Sequence, residues 1–118
     1  MNIIHNQLPT IRKKNHLQLK DVAKLIGIDP GNLSRQESGA SSPTVATILG
    51  YSILFDQPLN ILFKDSFTFM SDTLIDNATL LKEELQGHSN AKSGYRLASL
   101  EKIMNRLLVN QISYEYEA

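Results

Sequence analysis

The sequence predicts an all-α fold, in which five short helices precede a C-terminal two-helix hairpin. Apolar residues recur every three or four positions in successive segments, which is the spacing of one face of a helix. Glycine, proline and capping residues interrupt this pattern at short intervals, as expected for helices joined by tight turns. The first 63 residues show no credible strand pattern.

The five short helices are predicted from the residues that begin and end them. Gly27 suits the left-handed conformation that ends a helix, and Gly39 stops the helix after it. Asp29 is a natural N-cap with Pro30 at the first helical position, and Thr44 caps the next helix. The expected helices lie at residues 7–16, 19–26, 30–37, 45–55 and 59–63. The apolar positions of the fourth are Ile48, Leu49 and Ile53.

The second half of the chain predicts a hairpin of two longer amphipathic helices. They are expected at residues 66–87 and 95–112, joined by a polar hinge that is bounded by Gly87 and Gly94. The last six residues are expected to fray. The predicted organisation is therefore a helical domain at residues 1–64 and a hairpin region at residues 65–118.

Composition narrows the class of protein. The chain has 118 residues and no net charge. Residues 1–63 carry six basic and four acidic side chains, and residues 64–118 carry six and eight. The absence of cysteine excludes disulfides and thiol catalysis. Because no apolar run approaches the roughly 20 residues of a membrane span and the start shows no signal peptide, we expect a cytoplasmic protein without a membrane partner.

Catalytic and metal-binding patterns are missing from the sequence. The three histidines, His5, His16 and His88, lack the spacing of metal ligands. Glu83 and Glu84 are adjacent, so they point in different directions on a helix. The sequence contains no glycine-rich phosphate loop. We therefore expect neither an enzyme nor a bound metal or cofactor.

A motif in the first half points to a family. Residues 22–29 read VAKLIGID, residues 33–39 read LSRQESG, and a proline follows at position 43. Over about residues 7–63, this combination resembles the Cro/Xre-type repressor domain. The resemblance implies a five-helix, repressor-like domain that binds double-stranded DNA. Its recognition helix, at residues 30–37, would enter the major groove.

The resemblance also implies roles for individual side chains. Glu37 matches the family's glutamate that pairs with an arginine of the first helix, and Arg12 stands at that arginine's position. Arg35 is the first candidate for a base contact, because its guanidinium matches guanine O6 and N7. Asn32 is the second candidate, for adenine or for a phosphate. The remaining base-contact candidates are Pro30, Gly31 and Ser34.

Phosphate contacts are expected around the recognition helix, including its first backbone amides near Gly31 and Asn32. The side-chain candidates are Lys13, Lys14, Gln18, Lys20, Ser38, Ser41 and Ser42. The sequence departs from the family at Leu19, where relatives often carry a glutamine that touches the DNA backbone. The loop after the recognition helix is also uncharged, so few phosphates are neutralised and one subunit is expected to bind with modest affinity.

Modest binding by one subunit predicts a dimer. A two-helix hairpin covers its own apolar surface poorly, and pairing with a second copy completes a four-helix arrangement. The dimerisation candidates are Leu74, Leu81, Leu97, Leu100, Met104, Leu107 and Leu108. The alternative is a hairpin that folds back onto the N-terminal domain.

The function that these inferences predict is sequence-specific DNA binding by a transcription regulator, a repressor that acts on a palindromic operator as a homodimer. One alternative is a protein-interaction module that keeps the fold and has lost strong DNA binding. Another is an antitoxin-like or phage-type regulator whose hairpin holds a protein partner. Retention on random duplex DNA at low salt separates the first alternative from the DNA-binding hypotheses.

Overall fold

The computed structural model describes residues 6–87 and 90–117, and every secondary-structure element in these two ranges is a helix. The helices are α1 (Leu8–Lys14), α2 (Leu19–Ile26), α3 (Pro30–Ser38), α4 (Val45–Phe55), α5 (Leu59–Leu62), α6 (Lys64–Gln86) and α7 (Ala91–Glu117). The prediction of five short helices followed by a two-helix hairpin is confirmed. None of the described helices combines the length and apolarity that a membrane span needs. His5 and His88 lie outside the described residues.

The chain divides into two compact units, of which the first ends at Thr68 and the second begins at Phe69. A short helix cannot hide its apolar face alone, and each of the five short helices contributes to one shared core. The buried residues of this core are Leu8, Val22, Ala23, Leu33, Tyr51 and Leu62. The first unit is therefore a five-helix bundle built around side chains from all of its helices.

The turns on either side of α3 follow the predicted chemistry. Gly27 and Gly39 adopt φ angles of +88° and +84°, a region that strongly favours glycine. The Asp29 carboxylate accepts a hydrogen bond from the Asn32 amide at 3.1 Å, which caps α3. Thr44 caps α4 in the same way. The predicted bounds of α2 and α4 are confirmed, and α3 extends one residue further than expected.

The inner face of α4 differs from the expected apolar positions. Thr47 and Tyr51 are fully buried, whereas Leu49 and Ile53 are 54% and 78% exposed. Helix α4 is apolar on nearly every side, so its hydropathy does not select an inner face. The two buried residues carry hydroxyl groups, and each of these groups has a hydrogen-bond partner. The Thr47 hydroxyl lies 3.1 Å from that of Thr44, and the Tyr51 hydroxyl donates to a carboxylate of α3.

Four predicted helix ends differ from the structure by two or more residues, and one of them is the start of α6, at Lys64 and not at residue 66. Helix α1 stops before His16, which adopts a left-handed conformation with φ +62°. Helix α7 begins at residue 91, because Asn90 caps it by accepting a hydrogen bond from the Ser93 amide at 2.9 Å. Gly94 therefore lies within a helix and not at the edge of a hinge. The tail that was expected to fray continues the helix to Glu117.

The second unit has its own core between α6 and α7. Its buried residues are Ala78, Leu85 and Leu100, against which Leu97 and Met104 pack. At one edge of the hairpin, Lys82 Nζ lies 4.0 Å from Glu101 Oε1. The two side chains are 36% and 58% exposed and their charged atoms are 4.0 Å apart, so this ion pair contributes little to stability. Apolar packing therefore holds the hairpin together.

Candidate nucleic-acid interface

Helix α3, the predicted recognition helix, is held on its inner side by an ion pair with α1. Arg12 Nε donates to Glu37 Oε2 at 2.8 Å, and Arg12 Nη2 donates to Glu37 Oε1 at 3.0 Å. Both side chains are nearly buried, with exposures of 11% and 6%. Arg12 Nη1 also donates to the Leu17 carbonyl at 3.0 Å. The hydrogen bond to Glu37 raises the pKa of Arg12, and the pair implied by the family resemblance is present in bidentate form.

Tyr51 on α4 is a third member of this contact, and the sequence pattern did not reveal it. Its hydroxyl donates to Glu37 Oε2, and its buried ring makes a T-shaped contact with the Phe55 ring, with 5.5 Å between ring centroids. Burial raises the pKa of Tyr51, and the hydrogen bond to the Glu37 carboxylate raises it further. A tyrosine in an apolar helix also fits an ordinary core position, so its partner could not be inferred. Three helices therefore meet at one carboxylate.

The raised pKa of Tyr51 predicts a loss of stability at alkaline pH. Unfolded tyrosine ionises near pH 10, whereas the folded state keeps Tyr51 neutral to higher pH. Its stabilising contribution is therefore complete below about pH 10 and falls by about 1.4 kcal/mol for each pH unit above that value. We expect the free energy of unfolding, measured with denaturant at several pH values, to fall with this slope above about pH 10. In Tyr51→Phe the contribution of Tyr51 to the slope should be absent. Equal slopes in the two proteins would contradict the prediction.

The outer side of α3 carries the predicted base-contact residues, and all of them are exposed. They are Pro30, Gly31, Asn32, Ser34 and Arg35. The side chains of two of them are joined, because Asn32 Oδ1 accepts a hydrogen bond from Arg35 Nη2. The expected phosphate contact of the Asn32 amide is not supported, because that amide already donates to the Asp29 cap.

The predicted phosphate-contact side chains are also all exposed. They are Lys13, Lys14, Gln18, Lys20, Ser38, Ser41 and Ser42. The Ser38 hydroxyl donates to the Arg35 carbonyl at 3.1 Å, so its proton is already used within the last turn of α3. The lysines among these candidates lie on α1 and α2, and the loop between α3 and α4 adds hydroxyl groups without charge.

Leu19 has a structural explanation. It packs against the core of the first unit at the first position of α2, so this residue adds apolar contact where relatives often place a glutamine. The helix start is stabilised separately, because the Asp21 carboxylate accepts a hydrogen bond from the Gln18 amide at 2.8 Å. The Gln18 side chain remains exposed and available to solvent.

The predicted dimerisation residues fall into two groups. The first group packs inside the hairpin and comprises Leu97, Leu100 and Met104, with Leu107 partly buried. Burial within one chain leaves these residues little surface to offer a partner. The second group, Leu74, Leu81 and Leu108, is 46%, 37% and 46% exposed.

An apolar groove lies beside Leu81 on the surface of the second unit. Its lining includes Leu81 and Leu85 from α6 together with Tyr95 and Ile103 from α7. Tyr95 is 78% exposed and Ile103 is 44% exposed. Neither residue was among the sequence-based dimerisation candidates. This groove extends the exposed apolar surface of the hairpin across both of its helices.

The comparisons with known proteins identify the first unit alone. Residues 10–62 match the model of a helix-turn-helix family, a range that begins within α1 and ends with α5. The searches of curated proteins and of solved structures gave no significant match to the chain.

Proposed function

Because residues 10–62 belong to the Cro/Xre-type helix-turn-helix family, we propose that the chain is a cytoplasmic transcription regulator. It binds a palindromic operator as a homodimer, and it represses transcription by covering promoter DNA. The supporting observation is the arrangement of α3. Its inner side is tied to two helices through Glu37, and its outer side presents Arg35 and Asn32 to solvent. A rigidly held helix with exposed polar side chains fits major-groove readout.

The charge distribution supports a dimer. The first unit has few exposed basic side chains. One of them, Arg35, is the proposed base contact and so does not add to the phosphate contacts. Each phosphate that is neutralised adds to affinity and to its salt dependence, so one subunit should bind modestly and with a shallow salt slope. Two subunits on two half-sites, about one helical turn of DNA apart, double the number of contacts.

The hairpin supplies the surface for pairing. Leu74, Leu81 and the groove at Tyr95 and Ile103 leave apolar area exposed that a second copy would cover. An isologous contact between two hairpins gives the two-fold symmetry that a palindromic operator requires. The hairpin as a site for a different protein partner is the alternative within the DNA-binding class.

The test is selection of bound sequences from a random duplex pool, using the full chain at low salt. We expect enrichment of a palindromic site, and a mass in solution equal to two chains. Enrichment of a non-palindromic half-site by a monomer would overturn the homodimer. Repression is tested separately, because a repressor must lower transcription from a promoter that contains the site.

A second candidate function is a protein-interaction module. It is favoured by Leu19, which serves the core, and by the uncharged loop after α3. The same chain would then form a folded dimer that is retained neither on heparin nor on random duplex at low salt. That result would replace the regulator with the interaction module.

A further inference from the structure

We propose that Asn32 reads no base of its own but positions the guanidinium of Arg35, so that α3 specifies guanine at one base pair through a coupled Asn32–Arg35 pair. This inference rests on the proposed DNA-binding function, and it gives different roles to the two side chains on the exposed side of α3. Asn32 is thus a positioning residue, and Arg35 makes the base contact.

The contact between the two side chains carries the proposal. Asn32 Oδ1 accepts a hydrogen bond from Arg35 Nη2, and the residues are three apart on α3, a spacing that places side chains on one side of a helix. Both side chains are exposed, so no neighbouring element forces them together. The arginine is therefore directed towards the N-terminal end of the helix, the part that faces base edges in this kind of domain.

Gly31 lies beside the Arg35 guanidinium, at a distance where an added Cβ would make an ordinary contact. A Cβ at this position would be 3.6 Å from Arg35 Nη1 and 2.9 Å from Asp29 Oδ2. The second distance is too short for a real Cβ, so a side chain would displace the carboxylate that caps α3 through the Asn32 amide. Glycine at position 31 therefore leaves the Asp29 cap undisturbed beside the Asn32–Arg35 contact.

The donor and acceptor count agrees with this division. Arginine has five N–H groups, and the bond to Asn32 uses one of them, which leaves enough for a two-pronged contact with guanine O6 and N7. Asparagine needs both its oxygen and its nitrogen to read adenine. Because its oxygen is already engaged by a cation, Asn32 retains mainly the two amide donors, which suit a phosphate or a water.

The experiment compares base preferences of single variants of the full chain on the selected duplex and on its single-base-pair changes. Arg35→Ala should lower the preference for guanine at one base pair by about 5- to 150-fold. Asn32→Ala should lower the preference at that same base pair, and the double variant should be no worse than Arg35→Ala. Ile53→Ala, at a position of α4 that is 78% exposed and outside the candidate interface, is the control and should leave this preference unchanged.

A conservative variant separates positioning from base contact. Asn32→Asp keeps an acceptor for the guanidinium and loses both amide donors, so we expect it to retain the guanine preference while binding all duplexes more weakly. Loss of preference at a different base pair in Asn32→Ala, with the guanine preference intact, would overturn the proposal. Loss of the guanine preference in Asn32→Asp would do the same.

A measurement without DNA keeps this inference distinct from the proposed function. In NMR relaxation of the free protein, the Arg35 Nε–H group should become more mobile in Asn32→Ala and stay ordered in Ile53→Ala. Equal mobility in wild type and Asn32→Ala would overturn the coupled pair even if the chain binds DNA. A chain that shows the coupling but binds no duplex would overturn the proposed function, and the reading role with it.

Discussion

Replacing Glu37 by alanine is expected to lower the free energy of unfolding by about 3–5 kcal/mol, the cost of leaving one member of a buried ion pair without its partner. Arg12 would lose both hydrogen bonds to the carboxylate, and the buried Tyr51 hydroxyl would lose its acceptor. In a domain of this size the melting temperature should fall by about 12 °C or more. Thermal and denaturant unfolding monitored by circular dichroism measure both quantities.

A triple variant tests whether the loss comes from the unpaired charge. Arg12→Met, Glu37→Leu and Tyr51→Phe together replace every member of the contact by an apolar side chain of similar size. Such replacements often leave stability unchanged or raise it, so the triple variant should be more stable than Glu37→Ala alone. The account of this contact is wrong if Glu37→Ala has the melting temperature of the wild type. It is also wrong if the triple variant melts at a much lower temperature than the wild type.

Replacing Leu81 by glutamate is expected to convert the proposed dimer to a monomer and to lower affinity for the proposed operator by about 10²- to 10⁴-fold, the usual gain from linking two binding modules. Leu81 lines the groove between α6 and α7, where a second hairpin would have to bury the new charge. The wild-type side chain is 37% exposed, so the substitution should leave the monomer folded. Sedimentation and operator titration of the same samples give the mass and the affinity.

Leu80 provides the matched control. It is the neighbouring leucine on α6, it is 64% exposed, and it lies outside the lining of the groove. Leu80→Glu should therefore keep both the dimer and the affinity. If Leu80→Glu and Leu81→Glu disrupted the dimer equally, the groove would not be the site of pairing. If the wild-type chain were a monomer, the proposed dimer would be wrong.

The helices of the first unit could be predicted because their ends carry local chemical signals. Gly27, Asp29 and Thr44 mark positions where the backbone needs a left-handed residue or a capping oxygen, and these needs depend on a few adjacent residues. The hairpin was less predictable. Gly94 suggested a hinge, but a glycine costs a helix only about 1 kcal/mol, and the Asn90 cap outweighs this local preference.

In the candidate site, too, some contacts could be predicted from the sequence and others could not. The Arg12–Glu37 pair was expected from a family pattern, and the exposure of Arg35 follows from its place on the outer side of α3. The contacts of Tyr51 with Glu37 and of Asn32 with Arg35 had no such signal. They depend on which side of α4 faces inward and on a single rotamer of an exposed arginine, and neither is encoded in residue spacing.

The attachment of α3 through Glu37 has a consequence for how such a protein can change its target. The residues that hold the helix in place are on its inner side, and Asn32, Ser34 and Arg35 on the outer side belong to no buried contact. Under the proposed function, substitutions at these three positions would alter the preferred DNA sequence without unfolding the domain. Within this scaffold, retargeting and folding are separable, so a library varied at these positions should consist mostly of folded proteins.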